Sequence, residues 1–585
     1  MDRCLSIDLG TSESTEGNLD SKIVETYVGG KGLGLKLLSD LAPEVDSLSP
    51  DNPLIFVTGP FTGTLVQTSA RSTLVTKSPL TNGFLDSHVG GHFGPMLKRA
   101  GYDYVMIKGK ADGPVYLNIT PGGCEILDAK GLWGKGIFET EKTLKEKHPG
   151  SKIASIGPAG ENKVLFACIG CDMYRHFGRG GAGAVMGSKN LKAVVVSGDR
   201  KITYADDEGF RSLAKKLTED VMNHPNAKKR YDLGTMMWVR MGQEDGHFLP
   251  TRNFQECLYD DYENISSEKM KAELNWKSVG CFNCVIRCSK MAKWDGHEME
   301  GPEYETTAFL GSGCEISDAR AIAMSNLICD DLGLDTISAG VTCSFAMECY
   351  EKGLLKDTGG LELKFGNINA QQELLKRIAR REGIGDTFAN GTRLASREIG
   401  QGSEYFAINT FGMELSGVNI KGCMSMGLAL ATADFASHTR LWTASAEMNG
   451  ELTIELLPDY VTVGQDDVNI RNSLVVCDFL PYGLDRLAPL LASATGIEYT
   501  PESLMKTGER IHNLARLYNL RNGRTGKDDT LPGRFFEEEM TAGLLKGQVM
   551  TREFFGDLLQ KYYKRRGWDE DGVPTRAKLE QLGLG

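Results

Sequence analysis

The spacing of apolar positions changes character once along the chain. From Ile7 to about Gly198, short β-branched runs alternate with glycines, as in Leu54-Ile55-Phe56-Val57-Thr58, Ser72-Thr73-Leu74-Val75-Thr76 and Tyr104-Val105-Met106-Ile107. Apolar runs of this length bounded by turn formers predict strands. Two helices are expected to interrupt them, over residues 31–41 and 136–147. Around Ala205 the apolar residues fall three or four apart instead, which is the mark of amphipathic helices. The first is expected over 208–221, behind the acidic pair Asp206-Asp207, and others over 317–332, 371–381, 504–520 and 554–566. No internal repeat or low-complexity linker is found. The pattern therefore predicts an α+β chain with a β-rich amino-terminal third and a helical remainder.

A length of 585 residues exceeds one hydrophobic core, so several domains are expected. The net charge of -12 argues against a nucleic-acid partner, whose recognition needs clustered basic surface. The start, Met1-Asp2-Arg3-Cys4-Leu5-Ser6-Ile7-Asp8-Leu9, has neither a basic leader nor a long apolar core, so no signal peptide is expected. No run reaches the ~18 apolar residues of a membrane span. Fourteen cysteines without an export signal point to a reducing compartment, and the cytoplasm is the expected location.

Candidate chemistry centres on Cys281-Phe282-Asn283-Cys284-Val285-Ile286-Arg287-Cys288. Three thiolates at this spacing suit a [4Fe–4S] cluster, whose fourth ligand must come from elsewhere. Zinc and a reduced structural trio are the alternatives, although zinc sites usually take two close pairs and no second pair follows. Glycines gather at 29–34, 90–94 and 178–183, where backbone N–H groups could cradle phosphate or the chain could simply turn. Lys277, Arg287, Lys290 and Lys293 lie near the cysteines and are candidates for a basic patch facing an acidic electron carrier; a solvated charged face is the alternative.

Read together, several segments resemble the tungsten-dependent aldehyde ferredoxin oxidoreductase family. They are Tyr27-Val28-Gly29-Gly30-Lys31-Gly32-Leu33-Gly34, Thr58-Gly59-Pro60-Phe61-Thr62-Gly63-Thr64, Gly90-Gly91-His92-Phe93-Gly94-Pro95, the run from Arg179 to Lys192, Gly301-Pro302-Glu303-Tyr304-Glu305-Thr306 and Asp330-Asp331-Leu332-Gly333-Leu334-Asp335-Thr336. The carboxyl end, from Gly567-Trp568-Asp569 to Leu584, belongs to the same likeness, which covers essentially the whole chain.

The resemblance implies a tungsten, or molybdenum, bis-pterin cofactor beside one [4Fe–4S] cluster, with magnesium bridging the pterin phosphates. It implies a β-rich domain over 1–203 as the base for the cofactor and two mainly helical domains over 204–410 and 411–585, the first with the cluster cysteines and first pterin motif, the second with the second motif. Cys477 becomes the fourth cluster ligand beside Cys281, Cys284 and Cys288. Pterin contacts are implied at Asp330, Gly333, Leu334, Asp335 and Thr336, and in the second motif at Asn472 and Val476, where Asn472 stands for an aspartate and Val475 for a glycine. Arg71, Gly90, Gly91, Arg179, Gly180 and Gly181 are implied pterin or phosphate contacts. His88 replaces an asparagine near the magnesium, and direct ligation by an imidazole is not expected of so hard a cation. Glu305 and His438 are the implied catalytic pair.

The activity implied is oxidation of an aldehyde with water to the carboxylic acid, with a ferredoxin or ferredoxin-like subunit as acceptor; a homodimer is left open. Two alternatives stand beside it: the catalytic subunit of a benzoyl-CoA-reductase-like complex, and a non-enzymatic iron–sulfur electron-transfer protein. Cys314 is read as a buried thiol, with metal ligation as the alternative. Cys329, Cys343, Cys349 and Cys423 are read as helix core, and Cys168 and Cys171 as a close strand pair that makes a poor metal site. Glu244 and His247, in what reads as a polar loop, are not expected to hold an interface metal.

Overall fold

The computed structural model describes residues 3–585, so Met1 and Asp2 of the amino-terminal run lie outside it. Two six-stranded mixed sheets and their helices form the amino-terminal part. The first sheet is built from β1 (Arg3–Asp8), β2 (Glu13–Asn18), β3 (Leu54–Val57), β4 (Ser72–Lys77), β5 (Phe84–Val89) and β6 (Tyr104–Lys108), in the order β2-β1-β6-β3-β4-β5. The inner strand β3 is apolar without alternation because both its faces are covered, and every residue of it is buried. The edge strand β2 is exposed throughout and polar, which blunts it against pairing with another chain.

The second sheet comprises β7 (Val115–Thr120), β8 (Gly123–Asp128), β9 (Lys152–Ser155), β10 (Ile169–Cys171), β11 (Arg175–Phe177) and β12 (Leu191–Val196), ordered β11-β10-β9-β12-β7-β8. Phe56 of β3 and Phe177 of β11 meet edge-on at 5.6 Å and share Phe93, within one apolar core common to both sheets. Cys171 ends β10, with Cys168 just before it, and both are buried.

Helices begin and end close to the expected limits: Gly30–Leu41, Ile137–Lys147, Asp207–Met222, Ala319–Leu332, Ile368–Arg380, Pro501–Arg521 and Arg552–Arg566. Caps set several of these limits. Asp206 accepts from Gly209 N, Asp318 from Arg320 N and Ala321 N, and Thr551 from Phe554 N.

Three expectations need correction. The glycine run at 29–34 is not an open cradle: it starts the buried helix Gly30–Leu41, and Gly30, at φ +38°, lies so close to the helix Leu457–Leu474 that a Cβ there would stand 2.4 Å from Asn472 O. The helical half also contains a small sheet, β13 (Lys277–Val279), β14 (Ser289–Trp294) and β15 (His297–Glu300), whose short lysine-bearing strands carry little apolar signal. Glu244 lies in a π-helical turn, Met241–Asp245, rather than a loop, and is engaged by Arg240 and Tyr262. Among the described residues no helix is long and apolar enough to cross a membrane.

Candidate active site

Cys281, Cys284 and Cys288 occupy the loop between β13 and β14, and the small sheet holds both ends of that loop. Backbone contacts fix its course: Phe282 N donates to Gly91 O at 3.0 Å, and Val285 N to Gln67 Oε1 at 3.0 Å. A Cβ at Gly90 would stand 2.8 Å from Cys281 Sγ, so glycine there admits the thiol. Cys477 follows the helix Leu457–Leu474, and its N–H donates to Thr68 O at 3.1 Å. The four thiols line one cavity of about 340 Å³, together with Arg71, His88, Gly90, Arg175 and His176.

Burial pushes the thiols of Cys284, Cys288 and Cys477 above their ordinary range; Arg175 opposes this at Cys288 and Arg71 at Cys477. Four soft, half-buried sulfurs around one cavity with two guanidinium groups beside them fit an anionic thiolate-ligated cluster, because the arginines offset charge that burial would otherwise penalise. Arg71 Nη2 also donates to Asp478 Oδ1 at 3.0 Å, and Arg175 Nε to Glu300 Oε2 at 3.0 Å.

Glu305 sits in the first turn of the helix Tyr304–Leu310. Its Oε2 accepts from Gly417 N at 2.8 Å, and its Oε1 lies 3.2 Å from His438 Nδ1. His438 N donates to Ser416 Oγ at 2.9 Å. Glu305 Oε1 and His438 Nδ1 are buried and form no hydrogen bond of good geometry among the described residues. Asp478 follows Cys477 and pairs with Arg71, which outweighs desolvation and holds the carboxyl below the usual carboxylate range.

Asp330 is buried beside His176, with Oδ1 3.7 Å from Nε2, and burial pushes its carboxyl well up. Among the described residues His176 Nε2 has no hydrogen-bond partner, and neither does Asn472 Nδ2. Buried polar atoms of this kind fit a heterocycle rich in donors and acceptors, such as a pterin. Asp335 is already engaged: Oδ1 accepts from Ile337 N at 3.0 Å as a helix cap, and Oδ2 from Arg179 Nε at 3.1 Å. Thr336 Oγ1 meets Thr306 Oγ1 at 2.8 Å, next to Glu305, while Gly333 caps the helix Ala319–Leu332 and Leu334 is buried behind it. Val476 is buried, and its N–H donates to Arg471 O.

Other implied contacts face protein. Arg179 donates to Glu414 O, Ser416 Oγ and Ala436 O as well as Asp335, so its fork clamps the His438 loop onto the β-rich part. Gly180 O accepts from Ser78 Oγ, and Gly181 is packed against Leu165 O. Gly91 holds the cysteine loop through its carbonyl. His88 shares both ring nitrogens, Nε2 with Asp86 at 2.7 Å and Nδ1 with Thr73 Oγ1 at 3.1 Å, which leaves neither for a cation.

Cys314 Sγ lies 3.3 Å from Phe309 O, fully buried, with its pKa pushed up to about 12 by burial. Cys329, Cys343 and Cys349 lie buried in helices, but Cys423 is a helix N-cap whose thiol meets Glu447 Oε2 at 3.3 Å, which corrects its reading as helix core. Lys290 is no surface residue: it is buried, and its ammonium donates to Tyr231 O at 2.7 Å and Ser278 Oγ at 3.0 Å. Lys293 is neutralised by Glu298, while Lys277 and Arg287 are exposed.

Two features escaped the sequence reading. A buried network joins Lys31 and Arg440 to Asp86 and Asp434, with Arg440 Nη2 2.6 Å from Asp86 Oδ1 and Arg440 Nε 2.9 Å from Asp434 Oδ1. Register places Asp86 and His88, two residues apart on β5, on one face of the sheet. Because Arg440 closes the turn that carries His438, this network fixes the imidazole over the β-rich base. The second feature is an aromatic wall. The His438 ring meets Trp442 edge-on at 6.2 Å, and Trp442 packs on Trp238 at 4.8 Å and Phe248 at 6.3 Å. Trp442 Nε1 is buried without a hydrogen-bond partner among the described residues.

Residues 4–198 match the family described as aldehyde ferredoxin oxidoreductase, N-terminal domain, and residues 212–584 match that described as aldehyde ferredoxin oxidoreductase, domains 2 and 3. The chain is 39% identical to the tungsten-containing aldehyde ferredoxin oxidoreductase of Pyrococcus furiosus, over 100% of this chain and 98% of that protein. It is 32% identical to the aliphatic sulfonate oxidoreductase, WOR-like subunit, of the same organism, over 100% and 97%. Among solved structures, the active-site complex of benzoyl coenzyme A reductase with 1,5-dienoyl-CoA superposes with a TM-score of 0.89 at 28% identity, over 100% of this chain and 97% of that one.

Proposed function

The chain belongs to the aldehyde ferredoxin oxidoreductase family, and from that premise we propose that it oxidises an aldehyde and water to the carboxylic acid, with ferredoxin as electron acceptor. The observation that carries this reading is the Glu305–His438 pair, 3.2 Å apart, in a chain whose four thiols line one cavity.

When bound, the tungsten bis-pterin and the [4Fe–4S] cluster supply two-electron oxidation and one-electron exit. Cys281, Cys284, Cys288 and Cys477 would hold the cluster; Asp330, His176 and Asn472 offer polar atoms to the pterins. The Gly417 N–H fixes one oxygen of Glu305 and turns the other toward His438. Glu305 Oε1 is then placed to take a proton from water, and His438 to hold a hydrogen bond to the substrate oxygen or receive the proton from Glu305. His438 is steered by Ser416 behind it and by the Arg440 network below it. Trp442, Trp238 and Phe248 form an apolar wall beside the imidazole, which excludes water and suits a hydrophobic aldehyde.

The test is protein purified without oxygen from cells given tungstate and molybdate, analysed for metals and pterin and assayed for aldehyde-dependent viologen reduction. About one tungsten and four irons per chain with aldehyde activity support the proposal. Metal and pterin without activity on any aldehyde would defeat it. A second reading, a catalytic subunit of a reductase acting on an aromatic thioester, draws on the structural likeness and predicts copurifying redox subunits and no aldehyde activity.

A further inference from the structure

The loop that carries three of the four thiols has a second side. Phe282 and Asn283, between Cys281 and Cys284, line an open groove of about 680 Å³ with Arg99, Arg200, Lys201 and Arg211. The groove continues past Arg200, Lys201 and Tyr204 into a neighbouring one of about 690 Å³ that reaches Arg3 and Lys98. Six basic side chains therefore line the two, against the acidic Asp103 and Asp199. Lys98 is paired with Asp103, Arg3 with Glu16 at 2.6 Å and Arg211 with Asp207 at 2.8 Å, while Arg99, Arg200 and Lys201 form no ion pair among the described residues, Arg200 acting on Glu16 only at longer range. On a chain with a net charge of -12 this is a local reversal of sign.

The groove is also coupled to the thiols. Arg99 lies 5.1 Å from the Phe282 ring centroid, His92 packs edge-on against the same ring at 6.4 Å, and the Phe282 N–H is held by Gly91 O. Asn283 is exposed in a left-handed conformation at φ +50°. One residue layer thus separates the groove from the cavity that the four cysteines ring. Lys277, Arg287, Lys290 and Lys293 do not line this groove.

We propose that the groove framed by Arg99, Arg200, Lys201 and Phe282 is the docking surface for an acidic iron–sulfur electron carrier. The assignment rests on the aldehyde-oxidising reading and names the face through which its electrons leave. Each turnover converts RCHO and H₂O to RCOOH, two protons and two electrons, and each electron reduces one carrier in a separate encounter. Opposite charge at the groove steers that encounter and is screened by salt, while the loop places the carrier next to the cluster ligands.

The experiment compares the full-length protein with its Arg200→Glu/Lys201→Glu double variant, with an acidic [4Fe–4S] ferredoxin as probe. Binding is measured by titration calorimetry at low and high salt, and activity with ferredoxin and with a viologen dye. The proposal expects ferredoxin binding to weaken by about tenfold or more at low salt, the difference to shrink in ~0.5 M salt, and viologen-dependent activity to stay unchanged. Ferredoxin binding equal to wild type would overturn it. So would equal ferredoxin binding with a loss of coenzyme A binding, which would make the groove a site for a small polyanion. Absence of aldehyde-dependent viologen reduction from both proteins would defeat the parent reading instead, and the binding comparison would still decide the surface.

Discussion

Gly333 and Val475 close two distant helices in the same way. Gly333 N and Leu334 N both donate to Cys329 O, and Val475 N and Val476 N both donate to Arg471 O. Both closing residues are left-handed, at φ +80° and +63°. The second motif has therefore kept the backbone of the first despite replacing glycine with a β-branched residue, a conformation that costs about 1–2 kcal/mol. Val475 is fully buried, and its Cγ2 fills the space against Gly30 and Gly59.

Val475→Gly should consequently lose more than it gains. Relief of the left-handed strain is offset by a buried valine side chain worth about 1.5–3 kcal/mol. A fall of the unfolding midpoint by about 1–2 °C in scanning calorimetry is expected. The reciprocal Gly333→Val should be worse, because a Cβ there meets Gly157 N at 3.1 Å in addition to the strain. A stabilised Val475→Gly protein would mean that the packing against Gly30 and Gly59 contributes little.

Cys477→Ala should reduce iron from about four to three or fewer atoms per chain and alter the paramagnetic resonance of the reduced protein. Cys168→Ala, whose sulfur lies in the β-rich core, should leave iron unchanged. Zinc in place of iron in the unaltered protein, lost on the same substitution, would reverse the assignment.

The Asp86 carboxylate should govern acid stability. Burial would raise its pKa, but Arg440 and Lys31 outweigh burial and hold it far below the ordinary 3.8. With the folded pKa depressed, the stabilisation is present above pH 3.8 and is lost as pH falls below it, because the unfolded chain takes up the proton first. Asp86→Asn leaves Lys31 and Arg440 short of one buried anion, which costs about 3–5 kcal/mol near neutral pH. The variant should also show a shallower decline between about pH 5 and 3 in denaturation series. An unchanged slope would count against this carboxylate as the source.

Glu305→Gln keeps an oxygen for the Gly417 N–H but cannot take a proton, so kcat should fall about 10²–10⁴-fold with metal and pterin content intact. His438→Ala should fall comparably, and the double variant little further, because the two act as a pair. Full activity in Glu305→Gln would remove the carboxylate from the mechanism.

Trp442→Ala should shift substrate preference. Edge-to-face contacts between aromatic rings are worth about 0.5–1.5 kcal/mol, so kcat/KM for benzaldehyde should drop about two- to tenfold relative to acetaldehyde. A uniform loss on both aldehydes would assign Trp442 to support of His438 alone.

Much of this protein is written locally. Strand runs such as Leu54–Val57 and helices such as Pro501–Arg521 follow from periodicity, because a buried strand and an amphipathic helix impose different spacings on their apolar residues. The thiol trio at 281, 284 and 288 is local too, and likeness to a family, not spacing, pointed to Cys477, Glu305 and His438. What the tertiary structure alone decided concerns charge. Lys290, next to the cysteine loop in sequence, points inward to backbone carbonyls, whereas Arg99 and Lys201, distant in sequence, flank that loop. Lys31, Asp86, Asp434 and Arg440 likewise form one buried set from three separate segments. A charged side chain has no periodicity to betray its partner. Its burial is tolerable only where opposite charge converges in space, and that convergence exists only once the chain has folded.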